Sequence, residues 1–431
     1  MTLLSGVRVL DLSLQLPGPF CTMMMADYGA DVVKIDEPSP RVRNPFSAEE
    51  PGTSSVERYL NRGKKSVTLN LKSAEGQEIF RKMAAIADVV VEGFRPGVVK
   101  RLGVEYESLS AANPGLVYCS ISGYGQTGPM RDVAGHDINY ISYAGVLGAC
   151  GRKGGPPTLP PVQIGDLFGG AMMALSGIVM ALLERERTGK GRAIDVSMTD
   201  GSLAMLALVA PAVLAGEMVP ERGNMMLTGM FPCYEAYRCA DGEYVSVGPL
   251  EAWFWKGFVA AVGCPHLADL QYAAGEEGAR VKAELSKAFA ARTRDEWVRA
   301  FEGKDVCLSP VLSVTEALSH PNTLARRMVV DVGTPLGGTE RQLGFPIKIA
   351  GEEGRAPGRA PRLGEHDEQV LAELGYSGAD ILDLRAKGVI RKRETPLRTR
   401  KSSRYFVRTG RPTLCSIRDC PIRSCCPSTG T

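Results

Sequence analysis

A largely parallel, doubly wound α/β sheet joined to a smaller α+β region is the fold this sequence predicts, on three observations. Short β-branched runs alternate with helix-period segments through the first 200 residues. The first of those runs, at residues 7–12, is β-branched and apolar. After about residue 225 the pattern changes to short strands mixed with charged helices.

The first run, residues 7–12 (Val-Arg-Val-Leu-Asp-Leu), leads to a Pro-Gly-Pro turn at 17–19, a helical stretch at 21–28 and a second strand at 31–36. Together these make a βαβ unit. Strands are expected again at 66–71, 88–93 and 116–122, with a helix at 74–86 between the first two. A long helix at 171–187 stops at Gly189-Lys190-Gly191, and a strand at 193–198 and an apolar helix at 202–215 follow. Beyond 225 come a strand at 244–247 and helices at 280–290 and 294–303. Proline-rich links near 335 and 356–361 then lead to a helix at 365–374 and a short one ending at Gly388.

With 44% hydrophobic and 23% charged residues in 431, the chain can bury one large core or two moderate ones. The longest apolar stretches, 171–183 and 203–215, fall short of the roughly 20 residues a membrane span needs, so none is expected. No positively charged segment followed by an apolar run opens the sequence, and a cytoplasmic location is expected. The net charge of +3 divides unevenly: residues 391–431 hold eleven Lys or Arg against Glu394 and Asp419, which is +9 and leaves −6 on residues 1–390. An acidic body argues against a nucleic-acid partner, and an anionic ligand must be held by a few local cations. Seven cysteines (Cys21, Cys119, Cys150, Cys233, Cys239, Cys264, Cys307) lack the paired short spacings of a metal site and are expected to be reduced core residues. Cys415, Cys420, Cys425 and Cys426 sit in the basic tail, where a disordered appendage and a metal knuckle are the two readings.

A dinucleotide site would require Gly-x-Gly-x-x-Gly after the first strand, but the loop is Leu14-Gln15-Leu16-Pro17-Gly18-Pro19-Phe20. Asp36, at the end of the second strand, is the one feature of such a site that is present. Histidine exchanges protons near neutrality, and there are only four: His136, His266, His320 and His366. The last three lie beside proline or in charged surface sequence. His136, in Ala134-Gly135-His136-Asp137-Ile138-Asn139-Tyr140 between a glycine-rich loop and a helix-like run, is either a structural helix-start residue or a catalyst. Asp166, in Gln163-Ile164-Gly165-Asp166-Leu167-Phe168-Gly169-Gly170, is either a helix N-cap or a working carboxyl at a helix start whose small neighbours admit a substrate.

Several stretches carry a family resemblance: Leu-Ser-Gly-Val-Arg-Val-Leu-Asp-Leu at 4–12, Gly29 to Ile35, Glu92-Gly93-Phe94-Arg95-Pro96-Gly97-Val98, Gly123-Tyr124-Gly125-Gln126-Thr127-Gly128-Pro129, and Gly165-Asp166. Across residues 4–390 the chain resembles the α-methylacyl-CoA racemases, a branch of the family III CoA-transferase superfamily. Gly135-His136-Asp137-Ile138-Asn139-Tyr140 resembles the racemase motif, whereas transferases generally place a non-basic residue at the histidine. The resemblance implies inversion at the α-carbon of 2-methylacyl-CoA thioesters, with His136 and Asp166 exchanging protons on opposite faces of an enolate and Glu251 orienting the histidine. It implies that Arg62, Lys64, Arg95, Arg101 and Tyr140 contact CoA. Where racemases often place an arginine after the second strand, this chain has Glu37-Pro38, a departure at one phosphate contact.

In the transferase branch Asp166 would instead be a nucleophile passing through an aspartyl-CoA thioester. A third class, an acyl-CoA binder without chemistry, would need one of the three residues missing. No metal or redox cofactor is implied, CoA entering as part of the substrate. The resemblance also implies an interlaced homodimer with a large domain built from both terminal regions. Its boundaries here are 1–200 for the first part of the large domain, 201–225 for a linker, 226–330 for the small domain, 331–390 for the return and 391–431 for the tail. Sixteen methionines, among them Met198, Met205, Met218, Met225, Met226 and Met230, are either plain core or the lining of a pocket for varied acyl chains. The segment from Leu227 to Pro232 is bulkier than the glycine-rich stretch usual there.

Overall fold

Residues 2–39, 54–352 and 356–392 are described by the computed structural model. Of the tail expected at 391–431, only Arg391 and Lys392 are included, and its four cysteines lie outside the described residues. Six parallel strands form the main sheet: β1 Arg8–Asp11, β2 Asp31–Asp36, β3 Lys65–Thr68, β4 Val89–Glu92, β5 Val117–Ser122 and β6 Ala193–Ser197. Their order is β3-β2-β1-β4-β5-β6, the doubly wound arrangement in which the sheet grows outward both ways from β1 and β4.

The pleat explains the sequence. Register sets Val9, Val32, Val89 and Val117 on one face and Leu10, Val33, Val90 and Tyr118 on the other, and both faces are buried. The first face is covered by the helices Pro17–Asp27, through Cys21 and Met25, and Met173–Thr188, through Ala174, Ile178 and Ala181. The second receives Ile79, Phe80 and Met83 of the helix Ala74–Ala85, and Val370, Leu371, Ile381 and Leu384 from the helices Asp367–Glu373 and Gly378–Ala386. Full burial of each such side chain contributes about 1.5–3 kcal/mol. The return of the C-terminal segment is fixed by polar bonds as well: Asp367 accepts the Thr68 N–H and hydroxyl, both at 2.7 Å, and Asn70 N–H donates to the Val389 carbonyl at 2.8 Å.

A second core belongs to the antiparallel sheet β7 Glu235–Arg238, β8 Tyr244–Val247 and β9 Leu308–Pro310, with the helices Ala252–Val262, Gly275–Phe289 and Arg294–Phe301. Its buried Trp255 and Trp297 donate their indole N–H groups to the carbonyls of Leu267 and Phe289 at 3.0 and 2.9 Å, so neither ring buries an unpaired donor. A hairpin of β10 Val329–Gly333 and β11 Thr339–Leu343 completes the sheets among the described residues. Five of the seven body cysteines are buried, but Cys150 is half-buried and Cys307 is exposed, against the expectation that all seven are core.

Two helices differ from expectation. The apolar helix expected at 202–215 is two pieces, Met198–Ala204 and Ala210–Leu214, because Pro211 cannot continue a helix and falls in the first turn of the second piece. The helix expected from 171 starts earlier: a π-helical segment Gly165–Met172 runs into Met173–Thr188. The joined helix has 24 residues, with an 18-residue window of mean hydropathy 1.8, and is long and apolar enough to cross a membrane, contrary to the expectation that no stretch is. It packs one side against the sheet and leaves Phe168, Met180 and Leu183 exposed. Its N-terminal segment lies close to the helix Met198–Ala204. A Cβ on Gly169 would stand 2.3 Å from the Met198 carbonyl oxygen, and one on Gly201 2.5 Å from the Gly169 carbonyl oxygen, so only glycine permits this approach.

Candidate active site

The loops after β4 and β5 and the helix Asp137–Tyr143 meet the π-helical segment at the carboxyl end of the sheet, where doubly wound folds place their ligands. Tyr140 is the local keystone. It is buried, its hydroxyl donates to the Gly135 carbonyl at 2.5 Å, and its ring packs edge-on to Tyr124 at 5.3 Å. A side chain on Gly135 would fall 2.7 Å from the Tyr140 ring and 2.8 Å from the Tyr124 hydroxyl, which is why glycine precedes the histidine. Burial first, then Asp166 and Tyr124, push the Tyr140 hydroxyl up to about 12, while Arg95 pulls the other way. Tyr140 therefore lies within electrostatic reach of Asp166 and Arg95 together. Its own hydroxyl is spent on the backbone, where the sequence expectation was a CoA contact.

His136 caps the helix Asp137–Tyr143 in extended conformation and is exposed, and its backbone N–H donates to Asn139 Oδ1 at 3.1 Å. Asp166 is half-buried in the first turn of the π-helical segment and caps nothing. Its backbone N–H donates to Asp137 Oδ1 at 3.0 Å, so the residue after His136 grips the residue that carries the carboxyl. Burial, and then the neighbouring Asp137 charge, raise the Asp166 carboxyl to about 7. The sequence reading missed Asp137. The signal was its place next to His136 inside the motif, but its partner lies 29 residues further on.

Two expected phosphate ligands are committed to the interior. Arg62 is fully buried, with Nε and Nη2 donating to Asp27 at 3.0 and 2.6 Å, a further bond to the Leu343 carbonyl, and its guanidinium over the Tyr59 ring at 4.8 Å. Lys64 is buried with Nζ 3.0 Å from Asp11 Oδ2, 3.0 Å from the Pro19 carbonyl oxygen and 2.8 Å from Thr22 Oγ1. Burial lowers the Lys64 ammonium to about 8. Burial works against the Asp11 carboxylate too, but Lys64, Lys34, Ser13 and Thr22 outweigh it and hold Asp11 at about 2. Neither cation is free to meet a phosphate. Arg95 and Arg101 are exposed, Arg95 on the loop after β4 and Arg101 at the end of the short helix Val98–Arg101.

Glu251 caps the helix Ala252–Val262 and is exposed; the groups its charge acts on are Tyr272 and Cys307 of the second core region. No hydrogen bond or ion pair joins it to His136 within the chain. Three buried polar atoms at the end of β5 and on the loop after it, Ser122 Oγ, Tyr124 Oη and Gln126 Nε2, have no partner among the described residues. Among the described residues no cluster of three or more His, Cys, Asp or Glu could hold a metal ion.

Glu92, at the end of β4, was also missed. It is buried, accepts the Phe94 N–H at 2.7 Å and so shapes the turn that presents Arg95. Burial raises its carboxyl to about 7 from an ordinary 4.5, against the pull of Ser120 and Phe94. Because the folded state holds this proton more tightly, its stabilising contribution is full below pH 4.5 and is lost as pH rises through 7. At about 1.4 kcal/mol per unit the loss is on the order of 3 kcal/mol. Glu92→Gln is expected to remove that part of the decline in urea midpoint between pH 5 and 8; an unchanged decline would contradict the assignment.

The chain matches CoA-transferase family III over residues 4–367. It is 36% identical over 389 residues to the alpha-methylacyl-CoA racemase of Mus musculus, covering 90% of this chain and 97% of the relative. It is also 36% identical over 381 residues to the acetyl-CoA:oxalate CoA-transferase of Acetobacter aceti, covering 86% and 95%. Among solved structures, a CAIB/BAIF family protein from Brucella suis superposes with a TM-score of 0.74 at 31% identity, covering 86% of this chain and 99% of that one. With the parallel sheet and the loops at its carboxyl end, these matches make this chain an enzyme of the family III CoA-transferase superfamily.

Proposed function

We propose that the enzyme inverts the α-carbon of 2-methylacyl-CoA thioesters by moving a proton from one face and returning one to the other. The observation that carries this reading is that Asp166, with a carboxyl raised to about 7, is gripped by the residue next to His136. A thioester only modestly acidifies its α-C–H, so both exchanging groups must change protonation near neutrality. The intermediate is an enolate, whose oxygen needs donors. The N–H of Asp166 is already given to Asp137, whereas the amides of Asp137 and Ile138 open their helix without an acceptor among the described residues and are donors available to that oxygen. Arg95 and Arg101 are exposed and would meet the CoA phosphates, and no further cofactor enters the scheme. We place the enzyme in the cytoplasm as a homodimer in which Glu251 of one copy reaches His136 of the other. The exposed apolar side chains Leu208, Leu214 and Val219 support a covered face.

The alternative is CoA transfer between carboxylic acids through an aspartyl-CoA thioester at Asp166. The equal identity to the Acetobacter aceti enzyme favours it, as does the absence of a hydrogen-bond partner for the Asp166 side-chain oxygens among the described residues. Proton NMR of a single-enantiomer 2-methylacyl-CoA in D2O separates the two. Exchange of the α-proton with loss of optical purity is expected. No exchange, with CoA passing to an added free acid, would make the enzyme a transferase.

A further inference from the structure

Asp137 has neither of the two proton-transfer roles, yet it is the side chain through which their carriers meet. It opens the helix that His136 caps, and its Oδ1 accepts the Asp166 N–H at 3.0 Å. The neighbouring Gly165 amide also favours the ionised form of that carboxylate. The Asp166 bond clamps the first turn of the π-helical segment to the residue that follows the histidine. Resting on the proton-transfer reading above, we propose that Asp137 is a positioning residue that fixes the Asp166 carboxyl relative to His136 and, through its own charge, governs its proton affinity.

The surroundings support this. Burial raises Asp137 as well as Asp166, the two amides opposing it at Asp137. The elements packed around Asp166 bring Tyr140 from the same helix, Cys21 from Pro17–Asp27, Cys119 from β5, Asp195 from β6 and Asp200 from Met198–Ala204, with Arg95 beyond Tyr140. Of these neighbours and Asp137, only Asp137 adds to burial in raising the Asp166 carboxyl. Neutralising Asp137 while keeping its oxygen should leave the clamp in place and remove the charge. A packing role alone predicts no such separation.

The test is the titration of Asp166 in the full chain, read from carboxyl-13C aspartate and assigned by Asp166→Asn. In Asp137→Asn the Asp166 midpoint is expected to fall by about one unit, and the acid limb of the pH–rate profile for α-proton exchange to move down with it. In the wild type, the Asp166 amide-proton shift should follow the titration of Asp137, which decides the matter even if the variant does not fold. A midpoint indifferent to Asp137→Asn, or an amide shift that ignores Asp137, overturns the proposal. A protein that exchanges no α-proton but shows the midpoint shift sinks the racemase reading and leaves the role of Asp137 standing; an active racemase with an indifferent midpoint does the reverse.

Discussion

Asp166→Ala is expected to slow α-proton exchange by about a hundred- to ten-thousand-fold, and His136→Ala by a similar factor, because each removes one of two positioned proton carriers. The folded state should survive the first change. Among the described residues the Asp166 side chain makes no hydrogen bond, and its carboxyl is raised from an ordinary 3.8 to about 7. Its contribution to stability is therefore present below pH 3.8 and lost as pH rises through 7. Above that pH the native protein carries an ionised carboxylate where burial disfavours it. At pH 8 the melting temperature of Asp166→Ala should match or exceed that of the wild type. Loss of exchange together with a lower melting temperature would mean that Asp166 holds the fold. CoA transfer that survives His136→Ala but not Asp166→Ala would move the enzyme to the transferase branch.

Arg62→Met should act on stability and not on substrate. It takes the guanidinium away from the buried Asp27 carboxylate, and breaking a buried pair typically costs about 3–5 kcal/mol, while the double change Arg62→Met/Asp27→Leu should recover most of it. The cost is read from urea unfolding, alongside KM for an acyl-CoA in whatever folded fraction remains active. An unchanged KM is the expected result. A KM that rises severalfold with little loss of stability would restore Arg62 as a phosphate ligand. The same measurement on Arg95→Ala should show the opposite balance, since Arg95 is exposed and anchors nothing.

The contrast shows what could be read without coordinates. Strands β2 and β4 are written in runs rich in valine and isoleucine, as suits a sheet covered on both faces. His136 and Asp166 were legible because their neighbours form motifs. The partners of Arg62 and Lys64 were not: Asp27 and Asp11 lie 35 and 53 residues earlier, and nothing local marks a cation that will turn inward. Nor could the sequence show that the 171 helix begins at Gly165, since that start depends on Gly169 and Gly201 letting two backbones approach. Glu251 was found by its motif, but its distance from His136 is a property of the folded chain. Asp137 escaped because its role is a single bond to a backbone amide.

The second face of the main sheet has a consequence for how the molecule is made. Val370, Leu371, Ile381, Leu384 and Val389 complete a core whose other members lie before residue 120, and Asp367 binds Thr68 across 299 residues of chain. A ribosome that has delivered all six strands has thus delivered a sheet whose second face is still only partly covered. Closing so long a loop is entropically costly and slow, and until it closes this core lacks the side chains that the C-terminal helices supply. Synthesis that stops short of residue 367 leaves a chain matching nearly the whole family signature and still unable to seal its own core.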